Sequence, residues 1–318
     1  LAPIFYCGKH KMSWQRYENI VELHFKIKSK QIRHPMLLVK SIYEINKYIQ
    51  IQRETGVSIG FVPTMGALHA GHLSLIKNSK THCDRTVCSI FVNPTQFNDP
   101  ADFQQYPITI EADIRLLEQA GCDVLFLPSV EVIYPSDYVK KQYQLGSLET
   151  LLEGKYRPGH FQGVCQVVDR LLSIVMPDEL FLGRKDYQQC MVITELIRQT
   201  GLPVTTTIVP TMRESSGQAM SSRNLRLSEH DRDKATAIYK SLQWIKANLK
   251  QGDVTDLTTR AADQLLKAGF SKIDYISIAD AHSLEEVNNW DGQQPLVALV
   301  AAFLSGIRLI DNISLTKD

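Results

Sequence analysis

An α/β fold is predicted for this chain: a parallel sheet with helical crossovers over residues 36–210, then a smaller α+β C-terminal domain over 211–318. Three observations predict it. Short apolar or β-branched runs alternate with helix-period segments as far as Pro210. Beyond Pro210 the texture changes to a polar loop, two long helical stretches and two further strands. Residues 61–76 read as a strand, a glycine-bearing turn and a helix N-terminus in direct succession, the unit that places ligands at the carboxyl ends of α/β strands.

The elements follow in order. From Met36, apolar residues at Leu37, Leu38, Ile42, Ile45 and Ile49 set a helical pattern, with a helix over about 39–54. A strand near 57–62 stops at Pro63, and the following helix runs to about 81. Residues 85–92 are a nearly continuous apolar run ending at Asn93-Pro94, as expected of a buried parallel strand. A helix over 109–120 ends at Gly121, and 123–128 is the next strand. A helix over 161–176 stops at Pro177, a strand covers 179–182, a helix covers about 186–199 and a last strand covers 204–209. In the C-terminal part, helical stretches at 228–249 and 255–268 precede strands at 273–278 and 296–304.

Composition narrows the function classes. Hydrophobic residues at 44% and charged residues at 22% fit a soluble globular enzyme, and no apolar run is long enough to span a bilayer. The six cysteines form no C-x-x-C pair and no zinc-like spacing, which fits reduced thiols in a cytoplasmic protein. Charge is uneven: residues 1–35 hold seven Lys and Arg against two Glu, leaving 28 basic and 32 acidic residues elsewhere. The body therefore offers no nucleic-acid footprint. Residues 1–35 are expected to be a basic extension without function, with Met36 a natural start. A transit peptide is disfavoured by its two acids and few serines.

Three motifs carry chemistry. At the helix start, His69 and His72 are three apart and are expected to share one helix face. With Met65, Gly66 and Gly71 they suggest a phosphate site, where free backbone N–H groups and the helix dipole favour anions. Two unrelated histidines or a zinc site are the competing readings. No residue between them supplies the glutamate of H-E-x-x-H, and neither G-x-x-x-x-G-K-[ST] nor G-x-G-x-x-G occurs. Second, Gly183, Arg184, Lys185 and Asp186 follow the strand at 179–182; the lysine can meet phosphate charge and the aspartate a ribose hydroxyl or metal-bound water. Gln189, a helical turn further on, is expected to face away. Third, Met220, Ser221, Ser222, Arg223 and Asn224 form a polar loop suited to closing over phosphates. Adenylating enzymes pair such a loop with H-x-G-H, so the two together are far more specific than either alone.

From Met36 onward the chain resembles the pantoate–β-alanine ligase family, of the nucleotidyltransferase superfamily marked by H-x-G-H. Six strings carry the resemblance in order: VPTMGALHAGH at 62–72, SIFVNPTQF at 89–97, LEGKYRPGHF at 152–161, FLGRKDYQQ at 181–189, MSSRN at 220–224 and RLIDN at 308–312. The resemblance implies a Rossmann-like first domain, a C-terminal domain closing the site, and a homodimer. It implies that ATP and pantoate give pantoyl adenylate and pyrophosphate, with Mg²⁺ on the phosphates, before the amine of β-alanine displaces AMP. By similarity, His69, His72, Lys185, Ser221, Ser222 and Arg223 are the catalytic set, with His72 treated as a proton donor. ATP would be held by Met65, Gly66, Ala67, Leu68, His69, Ala70, Gly71, His72, Gly183, Arg184, Lys185, Asp186, Met212, Met220 and Ser221 to Arg223. Gln96 and Gln189 match the glutamines that bind pantoate. No protein metal site, membrane or nucleic-acid partner is implied. Arg184 and Ile108 depart from the family pattern, standing where glutamate and arginine are common. A nucleotidyltransferase with a stable nucleotidyl product, or a non-catalytic nucleotide binder, are the rival functions. Gln96 and Gln189 weigh against the first, and the retained His72, Lys185, Ser221 and Ser222 against the second.

Overall fold

Six parallel strands organise the first part of the chain in this computed structural model, which describes Tyr6–Cys7, His10–Lys11 and residues 36–316. Tyr6–Cys7 pairs antiparallel with His10–Lys11. The expectation for the rest of residues 1–35 lies outside the described residues.

The strands are β1 (Leu37–Val39), β2 (Ile59–Thr64), β3 (Arg85–Ile90), β4 (Val124–Phe126), β5 (Glu179–Gly183) and β6 (Thr205–Val209). Their order across the sheet is β1-β4-β3-β2-β5-β6, all parallel. The crossover helices are α1 (Ile42–Glu54), α2 (Ala70–His82), α3 (Ile110–Ala120), α4 (His160–Val175) and α5 (Tyr187–Thr200). Both faces of the sheet are covered, which is why its central strands are buried nearly throughout. Ile59, Phe61, Leu180 and Leu182 pack with Ile45, Ile49, Leu171 and Ile193 on one face. Val62, Cys88, Ile90 and Phe181 pack with Leu75, Ile76 and Leu117 on the other.

One expectation needs correction here. Leu37 and Leu38 do not begin a helix; they form edge strand β1, paired with Val124 and Leu125. The helix starts only at Ile42, because extended Ser41 caps it in a capping box with Glu44. A three-residue strand followed at once by a helix leaves no period of its own to read. The predicted stop of α3 holds: Gly121 adopts φ 74 as its left-handed cap.

The C-terminal part is α+β, as expected. Helices α6 (Glu229–Asn248) and α7 (Thr255–Lys267) pack on an antiparallel sheet in the order β7 (Lys272–Asp280), β8 (Leu296–Leu304), β9 (Ile307–Ser314). Ala298, Val300 and Ala302 of β8 face these helices through Leu242, Ile245 and Leu265. Val297 and Leu299, on its other face, meet Leu148, Tyr187 and Met191 of the first part. That two-sided burial makes β8 apolar throughout. No helix among the described residues is long and apolar enough to cross a membrane.

A close approach near the sheet's carboxyl edge positions the site. Helix α4 is pressed against the turn at Pro94–Gln96, so that a Cβ on Gly163 would lie 2.3 Å from the Thr95 carbonyl oxygen. Gly163→Ala is therefore expected to destabilise the fold by about 1–3 kcal/mol through overpacking. Urea unfolding checks this, and an unchanged midpoint would show that the contact is not tight.

Candidate active site

Strand order locates the site before any side chain is considered. After β4 the chain returns to the far side of β2, so the order of strands reverses between β2 and β5. Their registered pairing ends at Phe61 and Leu180, while β2 continues to Thr64 and β5 to Gly183. A crevice opens at such a reversal, beyond the strands' carboxyl ends. The cleft found there is lined by Met65, His69, Gly71 and His72 from the first motif. Gly183, Lys185, Asp186 and Gln189 line it from the second, and Met212, Met220, Ser221, Ser222 and Arg223 from the third, with Gln96 between them.

The turn after β2 is built differently from the sequence expectation. Its backbone amides are not free. Ala67 and Leu68 donate to the two carboxylate oxygens of Asp113 at 2.9 and 2.8 Å, and Gly66 donates to Thr64 Oγ1. Asp113 is buried in the first turn of α3 and also accepts from Thr109 Oγ1. Ala67 and Leu68 are themselves buried, and neither they, Gly66, Ala70 nor Arg184 lines the cleft. Any contact these residues make with a nucleotide would have to use other atoms.

His69 and His72 do come together, with ring centroids 4.0 Å apart, but not on one helix face. His69 is the extended N-cap residue of α2. Its Nδ1 accepts from the Gly71 amide at 3.1 Å, and His72 Nδ1 accepts from the His69 amide at 3.3 Å. A Cβ on Gly71 would lie 2.8 Å from the His69 ring, so this capping arrangement requires glycine. Because a backbone amide only donates, each Nδ1 is an acceptor, and each neutral ring carries its proton on Nε2. Burial and the nearby Lys185 ammonium lower the His69 pKa to about 4. Burial, then His69 and Lys185, holds His72 well below the ordinary value of 6.5. Both are neutral hydrogen-bond donors at neutral pH. The role of His72 as an acid thus narrows to donation through Nε2–H.

Across the crevice, the turn after β5 is fixed from the C-terminal sheet. Asn312 on β9 donates from Nδ2 to the carbonyls of Arg184 and Lys185 at 3.0 and 2.8 Å. Arg184 is thereby held through its backbone. Lys185 is mostly buried and lies 3.4 Å from the Asp186 carboxylate. Ile108, the other departure from the family pattern, is exposed and does not line the cleft.

The polar loop is docked. Ser222 Oγ donates to the Ala67 carbonyl at 3.0 Å, joining the first and third motifs. Ser221 caps the short helix Ser222–Arg226. Arg223 makes a two-point contact with Asp102 at 2.6 and 3.3 Å, and Arg226 meets the same carboxylate at 3.0 Å. Upstream, Met220 N donates to the Met212 carbonyl, and Arg213 pairs with Asp311 while lying 3.9 Å over the Tyr239 ring.

Gln96 is buried with its Nε2 directed at Met65 Sδ and its Oε1 accepting from Asn93. Gln189 lines the cleft and does not face away from it. Residues missed by the sequence reading include Asp113, Asp102, Asn312 and the group Glu153, Arg157 and His160. The last four belong to quoted strings, which was the available signal. Nothing local marks Asp113 or Asp102. Among the described residues no group of three His, Cys, Asp or Glu side chains could hold a metal ion.

Comparison with known proteins places the chain in one family. The family model described as Pantoate-beta-alanine ligase matches residues 37–314. Pantothenate synthetase of Leptospira biflexa is 44% identical over 279 residues, covering 87% of this chain and 98% of the relative. That of Cytophaga hutchinsonii is 42% identical over 280 residues, covering 87% and 99%. The crystal structure of pantothenate synthetase from Thermus thermophilus superposes with a TM-score of 0.82 at 37% identity, covering 89% of this chain and all of that one (100%). A pantoate-beta-alanine ligase from Francisella tularensis, complexed with beta-gamma ATP and beta-alanine, gives 0.72 at 38% identity over 88% and 98%.

Two outcomes follow from the geometry. Asp113→Asn replaces one acceptor with a donor facing an amide N–H; it should cost about 1.5–3 kcal/mol in unfolding free energy and raise the KM for nucleotide. Normal stability and KM would show that the turn holds itself. Second, His69 and His160 have folded pKa values lowered to about 4 and about 3. Between 6.5 and those values the unfolded chain binds protons that the folded chain does not. Stability should be full above about pH 6.5 and fall as pH drops toward 4. Urea midpoints at pH 7 and 5 test this, and equal midpoints would contradict it.

Proposed function

This chain belongs to the pantoate-beta-alanine ligase family, and from that premise we infer its reaction and the part each residue plays in it. The chain catalyses the ATP-dependent condensation of pantoate with β-alanine. We propose that it does so by adenylyl transfer. A pantoate carboxylate oxygen attacks the α-phosphorus of ATP, pyrophosphate leaves, and the β-alanine amine then attacks the acyl carbon and displaces AMP.

The observation that carries this reading is the meeting of two kinds of polar group in one crevice. It is lined by His69 and His72, each with its proton on Nε2, and by Lys185, and it is lined equally by the neutral amides of Gln96 and Gln189. We assign the first group to the triphosphate, where donors and a cation stabilise charge that grows on the departing pyrophosphate. We assign the amides to pantoate, since an amide can donate to a carboxylate and accept from a hydroxyl. The attacking carboxylate is already ionised at neutral pH, so no base is needed for the first step. Positioning and charge neutralisation are the tasks that remain.

Mg²⁺ fits this site as an ion carried mainly by phosphates. Such sites use only one or two protein carboxylates, and Asp186 in the cleft supplies one. Bound there, the ion would neutralise phosphate charge. We take residues 36–210 and 211–318 as the two functional domains, and a cytoplasmic homodimer as the working form. Cys83, Cys88, Cys122, Cys165 and Cys190 are free, in keeping with a reducing compartment.

Exchange of label between pyrophosphate and ATP should require pantoate and not β-alanine; exchange without pantoate would overturn the acyl adenylate. In rapid-quench assays His72→Ala and Lys185→Ala should each slow adenylate formation by about 10²- to 10³-fold, the scale of one lost transition-state donor. Wild-type rates would remove them from the mechanism.

A further inference from the structure

Gln96 is held from behind by a chain of buried polar groups that the reaction itself does not use. Its carbonyl oxygen lies 2.7 Å from His160 Nδ1, at the start of α4. His160 Nε2 lies 3.0 Å from Arg157 Nη1. A guanidinium only donates, so Nε2 accepts and the His160 proton sits on Nδ1, where it is donated to Gln96. Burial, followed by the Arg157 charge, lowers the His160 pKa to about 3. The ring is neutral at working pH, and this tautomer persists.

The chain continues to the C-terminal sheet. Arg157 Nη1 lies 3.4 Å from Glu153 Oε2, and its Nε donates to Asn98. Glu153 receives both Arg308 Nη groups at 2.8 and 2.7 Å and the Tyr275 hydroxyl at 2.8 Å. Arg308 Nε is held in turn by Asp274. Burial would raise the Glu153 pKa, but Arg308 and Arg157 outweigh it and hold the carboxyl at about 2. Glu153 is thus a fixed anion that orients Arg157, and Arg157 fixes the ring that holds Gln96. Asn93 grips the same turn from its other side through Gly163 O and Tyr134 OH.

We propose that His160 is a positioning residue for the hydroxy-acid substrate: its Nδ1–H, bonded to the Gln96 main-chain carbonyl, sets the turn that aims the Gln96 amide, while Arg157 holds its tautomer and is oriented by Glu153, which Arg308 and Tyr275 of the C-terminal sheet fix. This rests on the reading that Gln96 contacts pantoate. His160 lines the same cleft, but both of its ring nitrogens are taken by protein partners, which leaves neither for a bond to substrate. Its loss should weaken pantoate binding and leave that of the nucleotide nearly unaffected.

Two polar variants separate the two ring nitrogens. His160→Asn keeps a donor near the Nδ1 position, and His160→Gln places its amide near the Nε2 position and loses the donor to Gln96. In pantoate-dependent pyrophosphate–ATP exchange, His160→Gln should raise the KM for pantoate about tenfold or more, the scale of one buried hydrogen bond. His160→Asn should stay within about threefold of wild type, and the KM for ATP should change less than about twofold in both. Gln96→Ala alone should raise the pantoate KM, and adding His160→Gln to it should add little, because both changes act through one group. An unchanged pantoate KM in Gln96→Ala would overturn the reading of Gln96 and the proposal with it. A normal Gln96→Ala effect overturns the proposal alone if His160→Gln raises both KM values equally, if Asn and Gln exchange their order, or if the double variant is additive.

Discussion

Two backbone amides, those of Ala67 and Leu68, donate to the two oxygens of one buried carboxylate, and the edge of the cleft that carries His69 and His72 takes its shape from that contact. Asp113 stands where a bound anion would sit at many helix N-termini. It holds Ala67 at φ 48, a left-handed conformation that a residue with a Cβ adopts only under constraint. It also takes up two of the turn's amides, and Thr64 Oγ1 takes up that of Gly66. Side chains must then supply the donors, and the capping arrangement of α2 delivers them by giving each histidine Nδ1 an internal partner and turning each Nε2–H outward.

A second constraint comes from β9. Arg308 and Asn312 lie four apart on one face of the strand, the face turned toward the parallel-sheet part. Asn312 fixes the carbonyls of Arg184 and Lys185, and Arg308 engages Glu153. Asp311, buried between them in sequence, reaches Arg213 at the root of the polar loop. One short strand therefore ties down the lysine turn, the loop and the support of Gln96. Arg308 with Glu153, and Arg223 and Arg226 with Asp102, join the two parts through ion pairs beside the apolar contact of β8, and breaking such a buried pair singly costs far more than breaking a surface pair.

The parallel sheet was legible because its strands are buried on both faces and its helices are amphipathic or capped. Alternation of the two periods then suffices to read it, and only β1, three residues long, escaped. The third motif was legible as a loop but not as a docked one, since its anchor Asp102 lies over a hundred residues away along the chain. Asp113 was hidden for the same reason: an aspartate in the first turn of a helix is ordinary for the helix dipole, and its bond to residue 67 has no local trace. The H-x-G-H spacing pointed to the right pair of side chains through the wrong geometry. A three-residue separation implies a shared helix face only if both residues are helical, and His69 is the cap. Gln189 was misplaced by counting helical turns without knowing which face of α5 meets the crevice.

The distribution of charge across the crevice has a chemical consequence on the proposed reading. Arg157 lines the same cleft as Gln96, but its Nε and Nη1 are occupied by Asn98, Glu153 and His160. A guanidinium free to clamp the pantoate carboxylate would bind the substrate more tightly and also stabilise the charge that must attack phosphorus, which lowers KM without lowering the barrier from the bound state. Neutral amides at Gln96 and Gln189 hold the acid with less of that stabilisation. Lys185 and the neutral histidines, assigned to the triphosphate, would instead face charge that grows during transfer, where each interaction strengthens on the way to the transition state. Keeping Arg157 engaged is thus as much a part of the site as presenting Lys185, and Glu153 does so with a carboxyl that stays ionised throughout the working pH range.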